Sequence, residues 1–189
     1  ADPYGVGGWT EDDKSVWLYD RYDIWEVNPK NGKAQCLTGK QEGRQNRIQF
    51  RYIKTNLDEQ FIPDKTTHLL SAFNDYTKES GFYGLLKKRL TPYIYGEKRY
   101  RFYHKAQEKG AILYSQEDYV EFPDLWIADE TFGKKQKLTS LNPQQNEYLW
   151  GNIELIEWNR QDGSINLGLL AKPEKFNPRK KYPLIVLSL

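Results

Sequence analysis

The chain has 189 residues, with 28 Lys and Arg against 26 Asp and Glu, for a net charge of +2. That balance gives no long-range field for nucleic acid or an acidic membrane surface, and the length suits one ordinary domain or part of a larger protein. Aromatic residues make up 15% of the chain, which excludes a disordered segment and favours pleated, half-buried strands. Cys36 is the single cysteine, so an intrachain disulfide and a thiolate metal cage are both ruled out. No apolar run approaches the roughly 20 residues of a membrane-spanning helix, and no secretory signal pattern is read at Ala1.

The acidic triplet Glu11-Asp12-Asp13 reads as a turn before a strand, since it lacks the alternating acids and central Gly of a calcium loop. Ser15 to Tyr19 alternates, with Val16 and Leu18 on one face and Trp17 and Tyr19 on the other. A second strand is expected at Asp23 to Val27. The turn-rich Asn28 to Gly32 follows, and Ala34 to Thr38 closes the unit. Arg47 to Ile53 places Ile48, Phe50 and Tyr52 on one face, and Arg99 to His104 repeats that alternation. Asp118 to Phe122 and the segment around Asn142-Pro143 read as turns, and no helix of 12 or more residues is expected.

These elements recur. "DIW" at Asp23 to Trp25 matches "DLW" at Asp124 to Trp126, and Leu-Thr pairs stand at 37–38, 90–91 and 138–139. Spacing of about 50 residues is the length of one four-stranded propeller blade. Three blades are read, approximately 9–38, 47–91 and 98–139, within a first domain at 1–149. The middle copy is the most divergent. Trp25 and Trp126 are expected to pack between neighbouring blades, because a repeated large side chain serves burial better than a single active site. Residues 150–189 differ. Asn152 to Pro173 is a hairpin pattern about Asp162-Gly163, and Leu184 to Leu187 reads as a strand buried on both faces.

The blade pattern "WTEDDKSVWLYDRYDIW" and the passage "IEWNRQDGSINLGLLAKPEKFNPRKKYPLIV", in that order, resemble the prolyl oligopeptidase family of serine peptidases, which includes dipeptidyl and acylaminoacyl peptidases. The resemblance implies an all-β partial propeller of about three blades, then a hairpin and the first strand of a truncated α/β-hydrolase domain. It implies a whole protein that cleaves peptides with a Ser-His-Asp triad, in a periplasmic or secreted setting. None of the seven serines sits in the Gly-x-Ser-x-Gly elbow that exposes such a nucleophile. Ser164 follows a Gly but lies in a hairpin turn. The triad is therefore expected past Leu189, and this chain is expected to be inactive alone.

No catalytic, metal-binding or cofactor-binding residue is assigned, and no cofactor is expected. His68 and His104, the two histidines, sit in strand patterns without a second ligand at regular spacing. Arg47, Arg51, Arg99 and Arg101 alternate with aromatics, a pattern that also serves single-stranded nucleic acid. With a near-neutral chain it reads as ordinary strand amphipathicity, and no nucleic acid or membrane partner is expected. The expected partner is a peptide substrate of the whole protein. Three blades cannot close a ring, so self-association of the isolated chain is expected. The competing reading is a non-enzymatic propeller that binds protein or glycan; the passage from Trp158 to Val186 separates the two.

Overall fold

A computed structural model describes residues 4–39 and 41–187. Residues 1–3, 40, 188 and 189, and with them the outermost ends of both expected domains, lie outside the described residues. The chain divides into two compact units, Ala1–Leu141 and Asn142–Leu189. The fold is all-β. In the first unit three four-stranded antiparallel sheets follow one another, each an up-and-down meander with its strands in chain order. The first sheet holds β1 (Val6–Trp9), β2 (Val16–Tyr19), β3 (Ile24–Val27) and β4 (Ala34–Cys36). The second holds β5 (Ile48–Tyr52), β6 (His68–Asn74), β7 (Ser80–Leu86) and β8 (Arg89–Gly96). The third holds β9 (Arg99–Lys105), β10 (Ile112–Glu117), β11 (Asp124–Ala128) and β12 (Lys135–Lys137). This succession of four-stranded meanders is what the repeat anticipated. Among the described residues the second unit contains one hairpin, β13 (Asn152–Asn159) and β14 (Ile165–Lys172), turning at Gly163 with a φ of 80°.

Two cores join the three sheets. Trp17, Ile24 and Leu37 of the first sheet meet Ile48, Phe50, Leu70, Ala72, Tyr83 and Leu85 of the second. Leu69 and Phe82, on the far side of the second sheet, meet Ile112, Tyr114, Ala128 and Phe132 of the third. Alternate residues of β6 and β7 thus feed opposite cores, as a period of two requires. Because the second sheet is covered on both faces, "HLLSAF" and "GFYGLL" read as near-continuous apolar runs, which is why the middle repeat looked divergent. Phe50, Leu70 and Tyr114 are completely buried, each stabilising by about 1.5–3 kcal/mol relative to exposure.

The repeated "D-I/L-W … LT" pattern is a clasp across the outer strands. Thr38 Oγ1 donates to Asp23 Oδ1 at 2.7 Å and accepts from the Ile24 amide at 3.2 Å. Thr139 Oγ1 donates to Asp124 Oδ1 at 2.7 Å and accepts from the Leu125 amide at 2.9 Å. The Leu of each pair closes the ladder, Leu37 to Ile24 and Leu138 to Leu125, both at 2.8 Å. Leu90-Thr91 is not a third copy. It lies inside β8, paired with Leu85 and Gly84 near the β7–β8 turn.

Three further readings change. β1 escaped notice because Gly7-Gly8 hides its pattern; a Cβ on Gly7 would stand 3.0 Å from the Tyr19 hydroxyl and 3.1 Å from Trp17 Cβ. Leu184 to Leu187 pairs with no strand among the described residues, and exposure there runs from 73% at Leu184 to 88% at Leu187; without neighbours the backbone has no ladder to join. Trp126 packs against the second core, as expected. Trp25 does not: it is half-buried, opposite Leu18, on the face of the first sheet turned away from Trp17 and Ile24. No sheet of the first unit stands on that side.

Candidate functional site

The meanders leave two rims on the first and second sheets. One rim gathers the β2–β3 turn, the β6–β7 turn and the segment entering β5. Its charges are consumed internally. Asp75 accepts from Arg21 at 2.7 Å, Arg47 at 2.8 Å and the Tyr22 hydroxyl at 2.9 Å. Burial pushes the Asp75 carboxyl up, but the bonds from Arg47 and Tyr22 outweigh it and hold the group below the usual carboxylate range. Asp20 receives the Tyr22 and Asp23 amides, the Trp25 indole at 3.0 Å and Arg44 at 2.7 Å. Arg51 donates to the carbonyls of Phe50, Asp20 and Arg21 and lies 4.8 Å above the Tyr19 ring. Two of the four arginines with an aromatic neighbour pattern thus tie turns together. Arg99 pairs with Glu117 at 3.3 Å, and Arg101 is exposed on β9.

The other rim carries a cavity of about 180 Å³ between the first and second sheets. The β5–β6 connection crosses to the first sheet and closes one side: the Ile62 amide donates to the Trp9 carbonyl at 2.7 Å, and Ile62 bridges Thr10. Trp17, Leu37, Ile62 and Leu85 supply apolar wall. His68, at the start of β6, faces the same space. Its ring meets Trp17 edge-on at 4.9 Å and Tyr52 at 5.6 Å. It is 8% exposed, and burial lowers its pKa while Asp64 pulls the other way. The imidazole is therefore neutral at pH 7, one nitrogen a donor and the other an acceptor. Among the described residues neither nitrogen has a hydrogen-bond partner.

The mouth carries both signs. Lys87 and Lys88 form the β7–β8 turn in left-handed conformation, with φ of 46° and 69°. Glu26 and Asp64 stand on the same cavity, and Glu26 accepts the Ser15 hydroxyl at 2.7 Å. That hydroxyl also exchanges with Thr10 Oγ1 at 3.0 Å. Among the described residues no hydroxyl or thiol hydrogen-bonds His68, so the nucleophile–base contact of a triad is not made here.

The other expected positions remain apart. His104 is exposed on β9, opposite Leu113, in a different sheet from His68. Ser164 sits in the β13–β14 turn, its hydroxyl donating to Asp162 at 2.6 Å. Glu11–Asp13 forms a single 3-10 turn before β2, with Lys14 paired to Asp12 at 3.1 Å. No group of three or more His, Cys, Asp or Glu among the described residues is arranged to hold a metal ion. Sequence reasoning missed the cavity because its lining comes from two loops and two sheets. The adjacent lysines of a tight turn were the single visible signal, and on their own they mark only a solvated tip.

No protein-family model matches the sequence, and no curated protein is similar to it. Solved structures of the AtxE2 isopeptidase are similar in fold. The apo form matches with a TM-score of 0.51 at 13% identity, over 85% of this chain and 31% of the isopeptidase chain. The form with Astexin3-dC4 bound matches with a TM-score of 0.46 at the same identity and coverage. This chain therefore spans under a third of the length of the proteins it matches, and the likeness at 13% identity is one of fold.

Proposed function

We propose that this chain is the non-catalytic propeller part of a serine exopeptidase or oligopeptidase, restricting access and placing a peptide for a hydrolase domain encoded after it. The observation that carries the reading is the order of parts. Three meander sheets are followed, in a separate unit, by the β13–β14 hairpin and the "KYPLIV" segment, which no sheet of the first unit uses. A propeller built only to bind protein or glycan needs no such passage. The fold likeness to an isopeptidase is in keeping with this reading. Among the described residues no hydroxyl pairs with either histidine, which supports a scaffold role for the chain itself. The experiment is to determine the coding sequence that follows Leu189. A Gly-x-Ser-x-Gly elbow followed in order by Asp and His is expected. A stop codon or a further run of blade repeats would favour the binding module instead.

A further inference from the structure

We propose that the cavity between the first and second sheets binds a small zwitterion with one apolar side chain, of the free leucine or phenylalanine class. Size is the first argument. An apolar cavity of about 150 Å³ takes a benzene-sized body, and this one measures about 180 Å³. A single ring or branched aliphatic group fits; a folded peptide segment does not.

Polarity is the second argument. His68 is more than nine-tenths buried, lines the cavity, and has no protein hydrogen-bond partner among the described residues. Its ring nitrogens keep contact with solvent, so a polar ligand atom can take the place of water beside the ring. At the mouth, Lys87 and Lys88 make no ion pair among the described residues, and neither do Glu26 and Asp64. Two cations and two anions around one opening suit a ligand with one charge of each sign. The carboxylate goes to the lysines and the ammonium to the acids. A simple anion or cation leaves one pair facing a like charge or nothing.

The test uses the full chain, with calorimetric titration and NMR of the Trp17 indole and the His68 imidazole. The probes are L-leucine, L-phenylalanine, glycine, N-acetyl-L-phenylalanine and L-phenylalaninamide. Saturable one-to-one binding of the two apolar amino acids is expected, with both reporter signals moving. Glycine and the two blocked derivatives are expected to bind at least about tenfold more weakly. The double variant Lys87→Gln with Lys88→Gln changes an exposed turn, so it keeps the parent melting temperature and weakens L-phenylalanine by about tenfold. His68→Phe keeps the aromatic packing and is expected to weaken it as well. No saturable binding of either amino acid, equal binding of glycine or of a blocked derivative, or full affinity in the lysine variant would overturn the assignment.

Discussion

At the scale of single residues, the two Asp–Thr clasps are the same device in different surroundings. Asp124 is salt-bridged to Lys137 at 2.6 Å and also receives the Leu141 amide at 2.8 Å. Burial raises its pKa, yet the Lys137 and Thr139 bonds hold it below the ordinary 3.8. Asp23 is fully buried without a paired cation, its Oδ2 has no hydrogen-bond partner, and burial raises its pKa despite the Thr38 bond. The signs therefore differ. Asp124 adds stability that is present above its unfolded value and lost as pH falls through its lowered folded value. Asp23 loses stability on ionising, as pH rises from its unfolded value through its raised folded one. Asp124→Asn should flatten the acid limb of a pH–melting curve and lower stability at neutral pH, while Asp23→Asn should be much better tolerated there. An equal loss in both would contradict the contrast. Thr139→Val should cost roughly 1–3 kcal/mol in denaturant unfolding, because it strips a bond from a buried carboxylate. The sequence displayed the Asp and the Thr as recurring letters. It did not display their contact, since 14 or 15 residues and a turn separate partners that only the β-ladder brings together.

At the scale of elements, packing distinguishes positions that the repeat makes look alike. Trp126 faces the second sheet and joins its core, while Trp25, at the matching step, faces away from it. Trp126→Ala should lower stability by roughly 3–5 kcal/mol, and Trp25→Ala by under roughly 2 kcal/mol, because one side of that ring already meets solvent. Equal losses would show that the Trp25 face is covered after all. Phe132 shows what could not be read from spacing. It sits in a turn with φ of 59°, where a bulky side chain is strained, yet it is almost completely buried against Phe82, Tyr93 and Tyr114. Its burial outweighs its backbone cost, and turn composition carries no sign of that. The strands of the first and third sheets were legible from the turn residues that bound them, while the near-continuous apolar runs of β6 and β7 blurred the period of the second.

At the scale of the molecule, the first unit ends in two open faces. Val16, Leu18, Trp25 and Val27 lie half-buried on the outer side of the first sheet, and Leu113, Leu125 and Ile127 on the outer side of the third. They are the kinds of surface that meet inside the stack. We expect copies of the chain to associate through them, with light scattering giving a mass above that of one chain that rises with concentration. Leu18→Lys with Trp25→Glu should reduce it. A concentration-independent monomer would count against this. The architecture was legible from period and turn chemistry, whereas the cavity was not, because it exists only where two sheets face each other. The claim that this is scaffold for a hydrolase is met most directly by assaying fluorogenic peptides with the chain alone and with the chain continued into its downstream coding sequence. The account predicts turnover, blocked by a serine-directed fluorophosphonate, in the longer protein only. Fluorophosphonate-sensitive turnover by the 189-residue chain itself, or none in the longer protein, would contradict it.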